Sequence, residues 1–207
     1  MFSNKDLRKL IIPLVIEQLL AVTIGMADTV MVSSCGEAAV SGISLVDSIN
    51  FLLITLFSSL ATGGAVIASQ YIGRGDHKSA SLAAKQLFYA SLALSAVLGV
   101  IAAFFRTPVV VNMVLGSIEA DVMAHAQIYF LLSAICYPFL AVYNAGAALF
   151  RSMGDSRTTM LISILMNTIN IVGNAILIYG FQMAAAGAAA ASLVSRAVGA
   201  IIITVLL

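Results

Sequence analysis

Charge is what this sequence has least of. Only 9% of its 207 residues are Asp, Glu, Lys or Arg, where a soluble domain carries roughly 25%. Charge this sparse cannot coat a globule in water, but it suits a chain whose outer surface meets lipid. The net charge of +1 excludes an extended basic surface, so no nucleic-acid partner is expected. Cysteine is nearly absent as well. Cys35 and Cys136 lie far apart, and two such thiols make neither a disulfide framework nor a metal site, so both read as small apolar residues. There are two histidines and no Ser/His/Asp or metal-ligand constellation around them. His77 falls in a basic loop and reads as solvated. Neither an enzyme nor a cofactor is expected. No cleavable leader is expected either, because Met1 to Lys9 is polar and the apolar run behind it is too long for an h-region.

Apolar residues make up 61% of the chain, and the mean hydropathy is +1.08. They gather in runs of about 18 residues or more, each long enough to cross a hydrocarbon core of roughly 30 Å. The runs are continuous and lack the alternation of barrel strands. Only helices or closed barrels satisfy their backbone in lipid, so helices are expected. The fold class is therefore all-α, a polytopic membrane bundle with six spans at about 10–34, 43–72, 86–105, 122–150, 158–179 and 184–207. Basic residues sort by loop. Lys5, Arg8, Lys9, Arg74, Lys78, Lys85, Arg151 and Arg157 fall on one side, and Arg106 alone on the other. The positive-inside rule then puts both termini in the cytoplasm. Segments two and four exceed the crossing length and are expected to tilt or project. Pro138 removes a backbone donor and is expected to kink segment four. Gly63-Gly64 and the small residues from Ala184 to Ser192 read as sites of close helix approach.

Ionisable groups inside a bilayer are costly, so the few present are informative. Glu17 and Asp28 lie in segment one and Arg196 in segment six, while Asp47 and Asp121 fall near segment ends where water reaches them. Glu17 and Asp28 are eleven residues apart. That is close to three whole helical turns, so both share one face, about 16 Å apart along the axis. Asp28 falls in the outer half of the membrane and Glu17 nearer the cytoplasm. Segment five carries a second stripe, Asn167, Asn170 and Asn174, at spacings of three and four. Three carboxamides facing lipid would be expensive, so the stripe should face a partner helix or a wet cavity. Tyr129 and Tyr137 add polar tips along segment four. These residues read either as a polar cavity with Asp28 as its titratable group, or as a Na⁺ site of oxygen ligands from Asp28 and Asn174. A helix–helix polar clamp that only aids packing is the third reading.

Four stretches resemble the multidrug and toxic compound extrusion (MATE) transporters. They are Pro13 followed by Gly25-Met26-Ala27-Asp28-Thr29-Val30-Met31-Val32, then Ala68 to Asp76, then Phe150 to Thr158, and last Asn167 to Gly180 followed by Gly187-Ala188-Ala189. They occur in the family's order and at its spacing. The resemblance implies one six-helix lobe of a twelve-helix protein that exchanges Na⁺ or H⁺ for organic, often cationic, compounds by alternating access in a prokaryotic cell membrane. It implies that Asp28 is the coupling-ion site, assisted by Asn174. It also implies that Tyr129 and Ser192 match ligand positions. From the spacing alone, Asn170 joins Asn174 on one stripe, and Glu17, Asn167 and Tyr137 read as cleft candidates. Some relatives carry a second Asp one turn beyond Asn174, where this chain has Ile178, so a site with two Asp ligands is not expected.

The chain stops in apolar sequence at Leu207, so a fragment is expected rather than a natural half-transporter. A full cleft would then need a C-terminal lobe or a second copy. Two other functions fit a bundle of this kind. A lipid-linked saccharide flippase of the same superfamily would line its cleft with cations for pyrophosphate, and here Arg196 is the only one. A membrane fragment that folds and binds a partner without transport is the other.

Overall fold

In the computed structural model, residues 4–105 and 119–207 are described, and among them six helices and a π-helical turn account for the fold. The helices are α1 (Asn4–Ser33), α2 (Glu37–Gly73), α3 (His77–Phe105), α4 (Ala120–Ser152), α5 (Ser156–Asn174) and α6 (Ala184–Leu206), and the π turn (Ala175–Gly180) extends α5. Arg106, the one basic residue expected on the far side, lies outside the described residues, as do the side chains of Lys5 and Lys9. Five helices, α2 to α6 with the π turn, are long and apolar enough to cross a membrane. The first helix, α1, itself runs for 30 residues.

Helices begin earlier than the apolar runs suggest. The second starts at Glu37 rather than near Ile43, and the third at His77 rather than near Gln86. For the third helix the cause is capping chemistry, at a turn that has a match ahead of the fifth. In Arg74-Gly75-Asp76 and Met153-Gly154-Asp155 the glycine takes φ +75° and +87°, a left-handed conformation that costs a side chain about 1–2 kcal/mol. The next amide closes the helix behind it, Asp76 N–H to Tyr71 C=O at 3.0 Å and Asp155 N–H to Phe150 C=O at 2.9 Å. The same aspartate opens the helix ahead, accepting from Ser79 N–H at 3.1 Å and from Thr158 N–H at 3.1 Å. Hydropathy does not register these polar turns of helix.

The fourth helix is the centre of the bundle, packed against α2, α3 and α6, with α1 held at the side by α5. Close approach is made by small residues. A Cβ on Gly63 would meet open space, while one on Gly64 would lie 2.5 Å from the Leu87 side chain of α3. The tight crossings are at Gly42, where a Cβ would lie 2.8 Å from Val122 O, and at Gly99, 2.9 Å from Ala134 O. The second has a reason. Helix α4 runs through Pro138, which cannot donate to the carbonyl four residues back, and Gly99 lets α3 lie against that carbonyl, Ala134. The run from Ala184 to Ser192 packs as expected, with Ala185, Gly187, Ala188, Ala189 and Ala191 buried. The large apolar side chains left outside, such as Val22, Phe51, Ile67, Tyr89 and Phe104, suit a lipid-facing surface.

Candidate functional site

Two polar networks thread the interior. The first begins at Asp28 on α1, whose Oδ1 accepts from Asn174 Nδ2 across the α1–α5 contact. Asn174 Nδ2 also reaches Asn170 Oδ1 at 3.4 Å, and Asn170 Nδ2 donates to Ser192 Oγ on α6 at 3.0 Å. Asn174 is the last α-helical residue before the π turn, and both it and Asn170 are buried. One acceptor is left over. Asn174 Oδ1 is buried and has no partner among the described residues. Such an orphan costs about 1–3 kcal/mol, so it calls for a ligand or an exchange. Rotating the amide by 180° swaps donor for acceptor and turns Oδ1 toward Asp28. An oxygen facing that carboxyl requires a proton or a cation between the two. Asp28, Asn174, Asn170 and Ser192 are therefore brought together, and their donor set fits either H⁺ or a hard cation with oxygen ligands.

The second network joins Tyr129 and Tyr137 to Asp47, Asn50 and Ser133, which spacing had not singled out. Asp47 on α2 accepts from Tyr129 O–H at 3.1 Å and from Asn50 Nδ2 at 3.3 Å. Asn50 also donates to Ser133 Oγ at 3.2 Å and accepts from Tyr137 O–H at 2.8 Å. Tyr129 is thus held by Asp47 rather than Asp28. Tyr137 is fully buried against Phe57 and supports Asn50, instead of facing an open cleft. Asp47 and Asn50 sit three residues apart on one helix face, the same signal that singled out the Asn stripe. Placing the start of the second segment at Ile43 hid it.

A cavity of about 310 Å³ joins the two networks, lined by Asp47, Asn50, Tyr129, Ser133, Ser192 and Arg196 among others. Arg196 lies close enough to both Asp28 and Asp47 to interact with them electrostatically. Its one hydrogen bond among the described residues is to Cys136 Sγ at 3.8 Å. Cys136 is therefore more than an apolar filler. A larger cavity, about 690 Å³, opens between α2, α3, α4 and α6, but its walls are mostly apolar, Phe88, Tyr89 and Leu149 among them. It touches neither network, and the smaller cavity is the better site because chemistry converges there.

Glu17 is a correction. It does not line the cavity. Its carboxylate is held by Arg151 at 3.2 Å and by Thr159 Oγ1 at 3.1 Å, fastening α1 to α4 and α5 at the end of the bundle that holds the two Gly-Asp turns. Asn167 belongs to neither network, and its buried Nδ2 has no partner among the described residues. Ile178, at the position where some relatives carry a second acid, packs with Val32, Ala39 and Ile43. Among the described residues no group of three His, Cys, Asp or Glu side chains is placed to hold a metal.

Fold and site together define a polytopic helical membrane bundle with a charged, hydrogen-bonded cavity in its interior. The chain belongs to the MatE family, whose model matches residues 13–176. It is 30% identical over 204 residues to an uncharacterized transporter, YisQ, of Bacillus subtilis, covering 94% of this chain and 43% of that protein. It is 30% identical over 210 residues to a probable multidrug resistance protein, NorM, of Thermotoga maritima, covering 97% of this chain and 44% of that one. A MATE family multidrug resistance transporter of the MOP superfamily, solved in an outward-facing conformation, superposes with a TM-score of 0.84 at 26% identity, covering 97% of this chain and 44% of that one. The chain thus spans less than half the length of these relatives.

Proposed function

We propose that this chain is the N-terminal lobe of a secondary active exporter that exchanges Na⁺ or H⁺ for organic, often cationic, compounds, with Asp28 as the coupling-ion site. The observation that carries this reading is the Asp28–Asn174 contact with its orphaned acceptor. Empty and charged, Asp28 takes a hydrogen bond from the amide. Loaded with a proton or a cation, it favours the rotated amide. The local charge and the hydrogen-bond direction then change together, next to a cavity able to take part of a substrate. Arg196 couples the two, because a guanidinium near both carboxylates makes the charge state of one matter at the other. A second wall is needed for alternating access, and a C-terminal lobe like that of the longer relatives is its natural source. The basic end of the bundle faces the cytoplasm in this reading.

A flippase reading is weaker, since one guanidinium facing carboxylates is a poor seat for a pyrophosphate. A non-transporting role would leave the orphaned acceptor and the cavity charges without a use. The test is ion-coupled efflux of tetraphenylphosphonium from cells expressing the gene. The Asp28→Asn variant is expected to reach the membrane at wild-type levels and to lose coupled efflux. Efflux that survives at wild-type rate would remove Asp28 from the mechanism.

A further inference from the structure

The larger cavity is a groove with a polar end and an apolar end. Along α3 its wall is one helical stripe, His77, Ser81, Lys85, Phe88 and Leu92, at spacings of three and four. The stripe runs about 22 Å along the axis and turns from polar to apolar just past Lys85. Val142 and Leu149 of α4 make an apolar wall opposite. About 20 helical residues cover a hydrocarbon core of roughly 30 Å. With α3 ending at Phe105, that core takes Gln86 to Phe105, and Lys85 stands at its boundary on the side of the two Gly-Asp turns. Tyr89, one turn further on, also lines the groove and is 72% exposed, as suits an aromatic ring at a membrane interface. Charge at this end is one-sided. Glu17 is paired with Arg151, and Asp76 and Asp155 are taken up by Ser79 and Thr158. Among the described residues Lys85 has no carboxylate partner.

We propose that this groove holds one anionic phospholipid, its phosphate on Lys85 with His77 and Ser81 beside it, and an acyl chain along Phe88 and Leu92. A soluble anion would satisfy Lys85 and leave the apolar length of the groove uncovered. A lipid without net charge would cover that length and gain less from Lys85, because its own ammonium offsets its phosphate. An anionic phospholipid does both. A basic pocket between helices at the membrane boundary is suited to such a head group, and the lysine stem can lie along apolar surface while its ammonium reaches the head-group layer. A volume of about 690 Å³, drawn out along the helix, takes a chain rather than a head group alone. The groove shares no residue with the networks around Asp28 and Asp47, so this site stands apart from the export reading.

The test is native mass spectrometry of the delipidated gene product, titrated with phosphatidylglycerol or phosphatidylethanolamine carrying identical acyl chains. The first phosphatidylglycerol is expected to bind on the order of fivefold tighter than the first phosphatidylethanolamine, the scale of one basic residue at a membrane surface. Lys85→Gln is expected to erase that preference and Lys85→Arg to keep it. Arg157→Gln removes an exposed charge at the same end that does not line the groove, and is expected to change nothing. Thr204→Phe, which fills the groove from α6, is expected to weaken both lipids. A phosphatidylglycerol with a diazirine on its acyl chain is expected to label α3 and α6 on irradiation in nanodiscs. Equal binding of the two lipids, or a preference that survives Lys85→Gln, overturns the proposal. So does a label that misses α3 and α6, the result expected if another part of the protein or a second copy covers the groove. The lipid ranking and the label on the unmutated protein decide even if a variant fails to fold.

Discussion

Glu17 and Asp28 carry the same carboxyl on the same helix face, and their neighbours give them different work. Both reach α5, Glu17 at Thr159 and Asp28 at Asn174, as their eleven-residue spacing requires. The shared face was legible because a helix fixes it within one segment. The division of labour was not, because it depends on partners more than 130 residues away in sequence, Arg151 and Thr159 for one and Asn174 for the other. Asp47 was missed for a different reason. It lies ten residues inside a helix that starts at Glu37, about 15 Å along the axis. The apolar run alone starts six residues later. Glu17 then makes a prediction of stability rather than transport. Its side chain is only 12% exposed, so Glu17→Gln strands Arg151 and should cost about 2 kcal/mol. In a double-mutant cycle with Arg151→Met, the double variant should be more stable than the two single losses summed, by about 1 kcal/mol or more. Thermal unfolding in a Cys35→Ser background, read by a thiol-reactive dye on buried Cys136, measures each variant. Additive losses would mean that the pair is not coupled.

At the scale of elements, long apolar runs made the six helices legible, and the turns between them hid their ends. The Gly-Asp turns are the clearest case. Asp155 accepts two hydrogen bonds from Thr158, one from its N–H and one from its hydroxyl at 2.6 Å. These bonds, from the hydroxyl first, hold its carboxyl below the ordinary carboxylate range, and Asp76 is lowered in the same way by Ser79. A depressed folded-state pKa gives stability that is present above the unfolded value and lost as pH falls through the folded one. The bundle should therefore lose stability below about pH 4, the ordinary carboxylate value. Asp155→Ala should be less stable at neutral pH by about 1 kcal/mol, and its deficit should shrink toward zero in acid. Melting curves of the two proteins from pH 7 to pH 3 check this, and parallel curves would deny the cap any role. The π turn was beyond reach of pattern. Nothing in Ala175 to Gly180 marks a wider winding, which closes with Phe181 N–H bonded to Ile176 C=O at 3.1 Å.

For the whole molecule, the decisive question is which side of the membrane Asp28 serves. Asp28 is five residues from the end of α1 at Ser33, about 8 Å, so it lies near the end that carries the α1–α2 turn. The opposite end carries the turns with Arg74, Lys78, Arg151 and Arg157. If those basic turns are cytoplasmic, Asp28 sits toward the outside, where Na⁺ and H⁺ are abundant in a respiring cell. An exporter driven by ion entry needs its coupling acid to load from that side. The orientation is thus a condition on the mechanism as well as a matter of topology. Native cysteines make it measurable. Cys35 is half-buried at the α1–α2 turn, and Cys136 is buried in the bundle. A membrane-impermeant maleimide added to intact cells is expected to label Cys35. The Cys35→Ser, Arg157→Cys double variant is expected to resist it there and to react in everted vesicles. The reverse pattern would put Asp28 near the cytoplasm, where inward ion gradients cannot load it first, and would count against coupled export even if the fold and cavity stood unchanged.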